Sequence, residues 1–378
     1  MDELLELRNK IDEIDDKLIP LLLERMEISK AVADYKIKNN IPVLNEKREQ
    51  EILDDVGEKC GDLGDTIKTV FSAMMDASRA VQHKISGGGQ PLRDLINGAV
   101  RKTRLTADGA DIACQGVDGA YSSKAGKALF PDSPIKYYRH FEEVFEAVDR
   151  GEARFGIIPV ENSTAGSVHE SYDLIMKYRF YVVGAYDLNI SHCLCARADE
   201  EYSDIEFVYS HPQALSQCNI FLKNFDFTGI NYSNTAAAAK LVSESREKNI
   251  ACICSEEAAK KYGLVVLKKD IQNVSENTTR FIVISKELVI DGSADKISLI
   301  FSAPHKTGSL YRVLGRFSMT GLNLTKLESR PVANGRFDYC FYADVLGSVY
   351  DADTLDLLCA LYDELQEFTF LGNYLEVK

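Results

Sequence analysis

The sequence predicts a protein of three domains: an all-helical domain, an α/β domain and a small β-α-β-β-α-β domain. Residues 2 to about 84 carry apolar residues at helical spacing and no strand-like run. From Asp111 to about Lys286, short β-rich runs alternate with helical segments. The last part of the chain contains four strand-like runs and two helical segments in the β-α-β-β-α-β order. A chain of 378 residues is also too long for one ordinary core.

Composition excludes several classes of protein. The net charge of -14 argues against a nucleic-acid partner, because phosphates favour surplus lysine and arginine, although a few convergent cations could still bind a small anion. The opening segment MDELLELRNKIDEIDDK lacks the basic and apolar regions of a signal peptide. No apolar stretch has the length needed to span a bilayer. Together with nine cysteines in no regular framework, these features predict a cytoplasmic location.

Two pairs of cysteines are spaced at period two, Cys193 with Cys195 and Cys252 with Cys254. On a strand, each pair would place two thiols on one face. That spacing also suits a metal, but neither pair has a clear second pair of ligands. We therefore interpret these thiols as buried apolar side chains, and we predict no metal and no cofactor.

The helical domain is predicted over residues 1–85. Its first helix should exceed thirty residues, since apolar residues recur every three or four positions, at Leu4, Leu7, Ile11, Ile14, Leu18, Leu21, Leu22, Ile28 and Val32. Shorter helices are expected near 46–56 and 65–84. So long an apolar stripe predicts pairing with a second copy of the chain. The stretch SGGGQP then predicts a linker over 86–110 with little regular structure.

Charged and polar residues of this domain fall at spacings that suit a small dianion. Arg25 and Lys36 lie eleven residues apart on one face, roughly 16 Å along the helix. Arg8 lies a further seventeen residues back and is rotated away, so we expect it to serve the site of a partner protomer. Ser78 and Gln82 are spaced i, i+4 and share a face of the third helix.

The segments LLELRNKIDEIDDKL, ERMEISKAVADYK, KREQEIL and ASRAVQ resemble the all-helical chorismate mutase family over residues 2–84. This resemblance implies a pericyclic rearrangement of chorismate to prephenate, in which the site supplies a compressed conformer and positive charge near the ether oxygen. Lys36 and Gln82 are the implied donors to that oxygen, and Glu49 is the implied acceptor from the substrate hydroxyl. Arginine forks suit the two carboxylates. The implied chorismate-binding set is Arg8, Arg25, Lys36, Asn45, Arg48, Glu49, Ser78 and Gln82.

Two positions depart from the pattern of this family. Asn45 stands where the family often has aspartate, and an amide can still bond a hydroxyl. Pro20 lies inside the first helix, where a proline costs about 3 kcal/mol or more. We expect a kink there that changes how Arg8 is aimed relative to Arg25. An impaired mutase domain therefore stays open as an alternative.

The middle domain, predicted over residues 111–287, resembles prephenate dehydratases over its full length. Four motifs carry the resemblance: GVDGAYS at 116–122, PVENS at 159–163, SHPQ at 210–213 and TRF at 279–281. Each lies at the end of a predicted strand, where open α/β sheets place ligands. The implied fold has two α/β lobes around a cleft. The chain should cross to the second lobe after about Ile190 and return near Thr279.

The implied reaction converts prephenate to phenylpyruvate with loss of carbon dioxide and hydroxide. A hydroxyl beside the leaving oxygen in a dry cleft would assist it, and the resemblance implies Thr279 for this role. Arg280 is either a carboxylate partner or structural, and His211 is either an acid–base group or a cap before Pro212. The implied prephenate-binding set is Glu161, Asn162, Ser163, Ser210, His211, Gln213, Thr279, Arg280 and Phe281.

The last domain, predicted over 296–378, resembles the ACT regulatory domains that are fused to prephenate dehydratases. Its strands are predicted at ISLIFSA, LNLTKLESRP, FDYCFYADV and FLGNYLEV. Backbone donors at a helix N-terminus suit the carboxylate of an amino acid, and acceptors near Glu328 suit its ammonium group. The implied L-phenylalanine site, formed where two copies pair, comprises Gly308, Ser309, Leu310, Tyr311, Glu328, Ser329, Arg330 and Pro331.

Together these resemblances imply a bifunctional chorismate mutase/prephenate dehydratase under feedback inhibition by L-phenylalanine. Its partners would be chorismate, prephenate, L-phenylalanine and a second copy of the chain, in a homodimer or higher oligomer. A non-catalytic amino-acid sensor with a helical dimer clip is an alternative from another class. The charged set of the helical domain and Thr279 argue against that alternative, because neither a clip nor a sensor needs them.

Overall fold

The computed structural model describes residues 2–103, 105–331 and 339–377. The chain divides into two compact units. The first unit comprises residues 1–98 and 299–369, and the second comprises residues 99–298 and 370–378. The helical domain therefore shares a unit with most of the C-terminal domain, and the α/β domain forms the other unit with the end of the chain.

Helices and strands are numbered in chain order. The α-helices are α1 (Asp2–Lys38), α2 (Glu46–Cys60), α3 (Gly64–Ser86), α4 (Gln90–Asn97), α5 (Tyr121–Leu129), α6 (Phe141–Asp149), α7 (His169–Tyr178), α8 (Pro212–Gln217), α9 (Asn219–Asn224), α10 (Thr235–Glu244), α11 (Glu256–Lys261), α12 (Ser309–Met319) and α13 (Ala352–Glu364). The strands are β1 (Val100–Lys102), β2 (Ile112–Gln115), β3 (Ile135–Tyr138), β4 (Phe155–Asn162), β5 (Gly166–Ser167), β6 (Tyr181–Asn189), β7 (Cys193–Ala196), β8 (Phe207–Ser210), β9 (Thr228–Asn231), β10 (Ile250–Cys254), β11 (Val265–Lys268), β12 (Thr278–Ser285), β13 (Val289–Asp291), β14 (Lys296–Ser302), β15 (Asn323–Pro331), β16 (Tyr339–Leu346), β17 (Phe368–Tyr374) and β18 (Glu376–Val377).

The helical domain has the three helices that the periodicity predicts, with a first helix of 37 residues. Helix α1 runs unbroken through Pro20, because the loss of one backbone hydrogen bond does not end a helix with intact turns on both sides. A change in the aim of Arg8 stays a prediction. None of the helices in the described part of the chain is long and apolar enough to cross a membrane.

Helix α1 leaves most of its apolar side chains uncovered. Within the chain it packs mainly against α3. Its exposed apolar residues continue along much of its length, and include Leu4, Leu7, Ile11, Ile14, Leu18, Leu21 and Ile28. In a folded protein, an extended exposed apolar surface of this kind is typical of an interaction site. Pairing through α1 stays a prediction.

The prediction that residues 86–110 form an unstructured linker is wrong for much of that segment. It contains α4 and β1, and β1 pairs in parallel with β13. Leu92 and Ile96 of α4 are almost completely buried, so an apolar face holds this helix in place. Gly87 and Gly89 have left-handed φ angles of 63° and 69°. They end α3 and begin α4, which is a capping role instead of a flexible one.

In addition to the two-stranded sheet of β1 and β13, the second unit is built on two larger sheets. One has the strand order β18-β6-β12-β4-β2-β3, with β5 beside β4, and the other has the order β11-β7-β10-β8-β9. The chain leaves the first sheet after β6, which ends at Asn189, and returns to it with β12, which begins at Thr278. Both positions lie close to the predicted crossings at Ile190 and Thr279. The two lobes are therefore joined by two adjacent chain segments.

The four cysteines at period two meet in the second sheet. Strands β7 and β10 are antiparallel neighbours, with Cys195 opposite Cys252 and Cys193 opposite Cys254. All four are buried in one apolar cluster with alanine and valine side chains. The prediction of buried free thiols is confirmed for these positions.

The last domain has the predicted β-α-β-β-α-β order, in a sheet with the strand order β15-β16-β14-β17. Phe337 and Asp338 of the predicted strand FDYCFYADV lie outside the described residues. The prediction of one final strand at FLGNYLEV is wrong, because β17 ends at Tyr374 and β18 pairs in parallel with β6 of the second unit.

Candidate active sites

The helical domain brings together one part of its predicted chorismate-binding set from three helices. Lys36 of α1 donates to Oε1 of Gln82 on α3 at 3.0 Å, and also to the carbonyl of Val43. Arg25, about three turns earlier on α1, donates to the hydroxyl of Ser78 on α3. Helix α2 supplies Glu49, whose negative charge favours the protonated form of Lys36 and so acts to raise its pKa. Arg25 and Lys36 therefore lie on one face of α1, and Ser78 and Gln82 lie on one face of α3, as their spacings in the sequence predicted.

Both cations of this site are partly withdrawn from water. Burial lowers the pKa of Arg25. Burial is also the main cause that lowers the pKa of Lys36, with the charge of Glu49 opposing and that of Arg79 adding to the shift. A cation with less water around it attracts an anion more strongly, because the effective dielectric is lower. The pair is therefore suited to binding carboxylate and ether oxygens.

Other members of the predicted set lie apart from this group. Arg8 and Arg48 are exposed, and Arg48 pairs with Glu51 at 3.3 Å. The side-chain oxygen of Asn45 caps α2 by accepting from the backbone N–H of Arg48 at 3.1 Å. Within the described part of one chain, no hydrogen bond or ion pair joins these residues to Arg25, Lys36, Ser78 or Gln82.

Sequence reasoning missed the buried charges beside Glu49. Arg79 of α3 binds the carboxylates of both Glu49 and Asp76. The side chains of Arg79 and Asp76 are only 7% and 4% exposed. The signal available in the sequence was the i, i+3 spacing of Asp76 and Arg79, which places opposite charges on one helix face.

A second buried ion cluster lies around Glu364 of α13, in the same unit. Its Oε1 lies 2.7 Å from Nε2 of His83, and its Oε2 accepts from Nη1 of Arg316 at 2.8 Å and lies 3.5 Å from Nε of Arg79. Burial favours the neutral acid, but the hydrogen bond from His83 and the charges of Arg316 and Arg79 outweigh it and lower the pKa of Glu364 to about 2. Arg79 thus belongs to both clusters.

The second unit contains a cavity of 180 Å³ at the ends of strands from both lobes. Members of all four predicted motifs line it. Its walls combine aromatic and aliphatic side chains with amides, hydroxyls and two histidines. The lining residues are Gln115, Ala120, Tyr121, Ser122, Phe141, Pro159, Asn162, Ile190, His192, His211, Gln213, Ala214, Gln217, Asn234, Thr235, Thr279 and Phe281.

Thr279 is held by Asn162 of the neighbouring strand. The two residues are direct partners in the β4–β12 ladder, and Nδ2 of Asn162 donates to Oγ1 of Thr279 at 2.9 Å. Oδ1 of Asn162 accepts from the backbone N–H groups of Thr164 and Ala165 and from Nε2 of Gln217. These bonds fix which atom of the amide is the donor. Since Oγ1 of Thr279 accepts from Asn162, the Thr279 hydroxyl proton is available to a ligand.

His211 both lines the cavity and caps a helix. Its Nδ1 accepts from the backbone N–H of Gln213 at 3.2 Å at the start of α8. Burial lowers its pKa, which favours the neutral ring. Of the two roles that the sequence left open, the capping bond is present. Because Nδ1 is an acceptor in that bond, a neutral ring would carry its proton on Nε2.

Sequence reasoning also missed a chain of polar groups along the cavity wall. The hydroxyl of Tyr121 donates to the carbonyl of Ser191 at 2.8 Å and lies 3.2 Å from Nδ1 of His192. Nε2 of His192 lies 3.0 Å from Oε1 of Gln217. Burial lowers the pKa of His192, with the bond to Gln217 opposing. Tyr121 stands in the quoted glycine motif, and Gln217 is spaced i+4 from Gln213, so both had a signal in the sequence.

Four predicted prephenate-binding residues do not line the cavity: Glu161, Ser163, Ser210 and Arg280. Arg280 pairs with Glu161, Asp187 and Glu376. Successive side chains of a strand point to opposite faces, so Arg280 points away from the face of Thr279. The hydroxyl of Ser163 accepts from the backbone N–H of Thr278 at 2.9 Å, and that of Ser210 donates to the carbonyl of Ile253 at 2.7 Å. The structural role that the sequence left open for Arg280 therefore fits its contacts.

The loop before α12 has the geometry of a helix start. Gly308 precedes α12 with a φ of 79°, a conformation that favours glycine. Ser309 and Leu310 open the helix, and Tyr311 is 63% exposed. Leu310 also lines a cavity of 410 Å³ together with Tyr339 and Phe341 of β16.

The ESRP motif forms the end of β15. Arg330 donates to Oε1 of Glu328 at 3.0 Å and to the carbonyl of Ser329. In the ladder with β16, Glu328 is opposite Tyr342, Ser329 is opposite Phe341 and Pro331 is opposite Tyr339. The motif is thus placed beside the strand that supplies two walls of the Leu310 cavity.

Comparison with known proteins identifies relatives of both catalytic domains. Residues 7–83 match the family model of type II chorismate mutases, and residues 112–288 match that of prephenate dehydratases. A bifunctional chorismate mutase/prephenate dehydratase of Buchnera aphidicola subsp. Schizaphis graminum is 31% identical over 353 residues, which cover 91% of this chain and 89% of the relative. Arogenate dehydratase 2 of Petunia hybrida is 36% identical over 74% of each chain. The crystal structure of a prephenate dehydratase from Arthrobacter aurescens in complex with L-Phe has a TM-score of 0.65 at 28% identity, over 70% of this chain and 89% of that one.

Glu364→Gln should destabilise the protein at neutral pH by on the order of 3 kcal/mol, because the folded-state pKa is about 2 and the ordinary value is 4.5. A depressed pKa adds stability above the unfolded-state pKa, and that stability is lost as the pH falls towards the folded-state pKa. The difference from the unmodified protein should therefore shrink between about pH 4.5 and pH 2. Urea unfolding followed by circular dichroism at several pH values measures it.

The matched control is Glu58→Gln, which changes an exposed glutamate of α2 and should leave the unfolding free energy nearly unchanged across this range. A Glu364→Gln difference that stays constant from pH 7 to pH 2 would contradict the proposed role of the Glu364 charge.

Proposed function

The chain belongs to the family of bifunctional chorismate mutase/prephenate dehydratases and is an enzyme of phenylalanine biosynthesis with both activities, and we propose which of its residues carry each reaction. The mutase reaction is assigned to the polar group between α1, α2 and α3. The dehydratase reaction is assigned to the cavity around Thr279. The observation that carries the second assignment is the bond from Asn162 to Thr279, which leaves the hydroxyl proton free to assist a leaving group.

In the mutase site, Lys36 and Gln82 would donate to the ether oxygen of chorismate. They lie within hydrogen-bond distance of one another, so one small atom could reach both. Arg25 would bind a carboxylate by its fork, next to Ser78. No nucleophile is needed, because a pericyclic step asks only for a compressed conformer and for charge where the ether oxygen becomes partly anionic. Glu49 would accept from the substrate hydroxyl.

A homodimer would complete this site. The exposed apolar face of α1 fits a second copy of the same helix. Arg8 is exposed near the start of α1, far from Lys36 along the helix, and would act on the site of the partner protomer. Arg48 and Asn45 stand at the start of α2, beside Glu49, where a bound substrate would meet them.

Lys36→Ala should reduce the mutase kcat by about 100-fold or more, because a preorganised donor to the developing charge is lost. Dehydratase activity on added prephenate should stay unchanged. The measurement is the initial rate of chorismate loss beside the rate of phenylpyruvate formation from prephenate. Lys30→Ala is the control, since this lysine of α1 is exposed and pairs with Glu27. Mutase activity in Lys36→Ala above a tenth of normal would exclude the assigned role.

In the dehydratase site, Thr279 would donate its proton to the departing hydroxide while the ring becomes aromatic. Neither lysine nor arginine is among the described residues that line the cavity. The ring carboxylate would thus meet amides and hydroxyls instead of a cation, in a site partly closed by Pro159, Ile190 and Phe281. Weak solvation of this charge favours its loss as carbon dioxide. Gln213 and His211 would bind the rest of the substrate.

Thr279→Ala should reduce dehydratase activity by about 100-fold or more and leave the mutase unchanged, because general acid assistance is lost. Given chorismate, this variant should accumulate prephenate, which chromatography of the reaction mixture detects. Thr278→Ala is the matched control, since Thr278 precedes Thr279 on β12 and does not line the cavity. If Thr279→Ala forms phenylpyruvate at the normal rate, another group is the acid.

The C-terminal domain would act as an ACT regulatory domain that binds L-phenylalanine. The relative from Arthrobacter aurescens was solved with L-Phe, and it covers 70% of this chain. In this chain, the N–H groups that begin α12 suit the carboxylate of the ligand, and Leu310, Tyr339 and Phe341 offer apolar walls to its ring. The remaining residues of the proposed site are Gly308, Ser309, Tyr311, Glu328, Ser329, Arg330 and Pro331.

Millimolar L-phenylalanine should lower the dehydratase rate of the unmodified protein. Gly308→Val should raise the half-inhibiting concentration by about tenfold or more, because a β-branched residue resists the φ of 79° and would move the loop. Gly315→Ala, within α12 at an ordinary φ and with open space around it, is the control and should keep normal inhibition. Absence of any effect of L-phenylalanine on the unmodified protein would refute feedback control.

A further inference from the structure

The carboxylate of Glu49 is held on both oxygens by arginines from two domains. Its Oε1 accepts from Arg79 of α3. Its Oε2 accepts from Nη2 of Arg312 at 3.0 Å. Arg312 belongs to α12 of the C-terminal domain, 263 positions further along the chain. A residue assigned to chorismate binding is therefore anchored by a side chain from outside the helical domain.

The same arginine also neutralises Asp76. Nη2 of Arg312 donates to Oδ1 of Asp76 at 3.0 Å, so one nitrogen serves two carboxylates. Two guanidinium groups and two carboxylates then form a cluster with no net charge. Asp76 and Arg79 are almost fully buried, Glu49 is 15% exposed and Arg312 is 35% exposed. Withdrawing Arg312 would leave a net negative charge in a poorly solvated place, beside the binding site of a dianion.

The neighbouring charges do not replace this contact. Arg316, one turn later on α12, donates to Glu364. Arg79 already binds Glu49 and Asp76 and lies 3.5 Å from Glu364. Burial lowers the pKa of Arg312, but the hydrogen bonds and charges of Asp76 and Glu49 outweigh it and raise that pKa. Arg312 is thus the cation that holds Oε2 of Glu49.

We propose that Arg312 is a positioning residue of the chorismate mutase site, through which the C-terminal domain holds Glu49 in place for the substrate hydroxyl. This inference rests on the proposed function of Glu49. Arg312 acts through Glu49 and does not itself touch chorismate. The helical domain then supplies the residues that touch chorismate, and the C-terminal domain contributes to the mutase reaction by orienting Glu49.

The expected kinetic signature is a loss in substrate binding. Glu49 would bond the substrate hydroxyl in both the ground state and the transition state, so a misplaced Glu49 raises KM more than it lowers kcat. The surplus negative charge left without Arg312 also repels the dianion, which acts in the same direction. General loosening of the fold would instead reduce the active fraction and lower kcat at an unchanged KM.

Two other ion pairs supply matched controls. Arg93 of α4 pairs with Asp356 of α13 at 2.7 Å, and Lys84 of α3 pairs with Asp353 at 2.6 Å. Like Arg312, they join the N-terminal helices to the C-terminal domain within the first unit. Neither contacts Glu49. Arg93→Ala and Lys84→Ala therefore test whether any loss of contact between these segments impairs the mutase.

The experiment measures mutase and dehydratase kinetics of the full chain in seven forms: unmodified, Arg312→Ala, Arg312→Lys, Glu49→Gln, the Glu49→Gln/Arg312→Ala double variant, Arg93→Ala and Lys84→Ala. Arg312→Ala should raise the KM for chorismate about tenfold, with a smaller change in kcat and normal dehydratase activity. Arg312→Lys should recover part of the loss, because an ammonium can donate to both carboxylates. In the Glu49→Gln background, Arg312→Ala should cost little more.

The proposal is overturned if Arg312→Ala keeps a normal KM, if its effect adds in full to that of Glu49→Gln, or if Arg93→Ala raises KM equally. These results also distinguish the role of Arg312 from the role of Glu49. If Glu49→Gln impairs the mutase and Arg312→Ala does not, the positioning role is wrong and the proposed site stands. If Glu49→Gln itself has no effect, the role of Glu49 in the proposed function fails first.

Discussion

The packing of the first unit depends on one constraint, which is that its buried charges need partners of opposite charge. Helix α3 buries Asp76, Arg79 and the imidazole of His83 on one side, and a charged or polar group withdrawn from water is costly unless it is paired. The partners come from three other helices, as Glu49 on α2, Arg312 on α12 and Glu364 on α13. This requirement ties the helical domain to the part of the C-terminal domain that shares its compact unit.

In the second unit, the corresponding constraint falls on the amide of Asn162. It is buried, and its two ends bind Thr279, Thr164, Ala165 and Gln217. A buried amide must satisfy both its donor and its acceptor, so its orientation is fixed. The nitrogen of this amide therefore fixes the hydroxyl of Thr279. Its oxygen holds Gln217, which in turn contacts His192. The described lining of the cavity around Thr279 thus offers neutral polar groups that are held in place, and contains no lysine, arginine, aspartate or glutamate.

Much of the architecture was predictable because it rests on local patterns. Helical periodicity predicted α1 to α3, and strand-like runs predicted the α/β domain and the order of the last domain. The prediction failed at residues 86–110, where glycines cap two helices instead of making the chain flexible. It also failed at Glu376–Val377, which pair with β6, a strand far away in the sequence. Capping and edge pairing depend on what lies nearby in space, which composition does not record.

The sequence by itself determined the family, the identity of Lys36, Gln82 and Thr279 as candidates, and the pairs at helical spacing, because motif and period are properties of neighbouring residues. Only the tertiary structure decided that Arg280 pairs with carboxylates away from the cavity. It also decided that Tyr121, His192 and Gln217 line the cavity around Thr279, and that Arg312 reaches Glu49. These contacts join residues far apart in the chain. The physical reason is that burial and charge pairing act across space, so they exist only once the elements have packed.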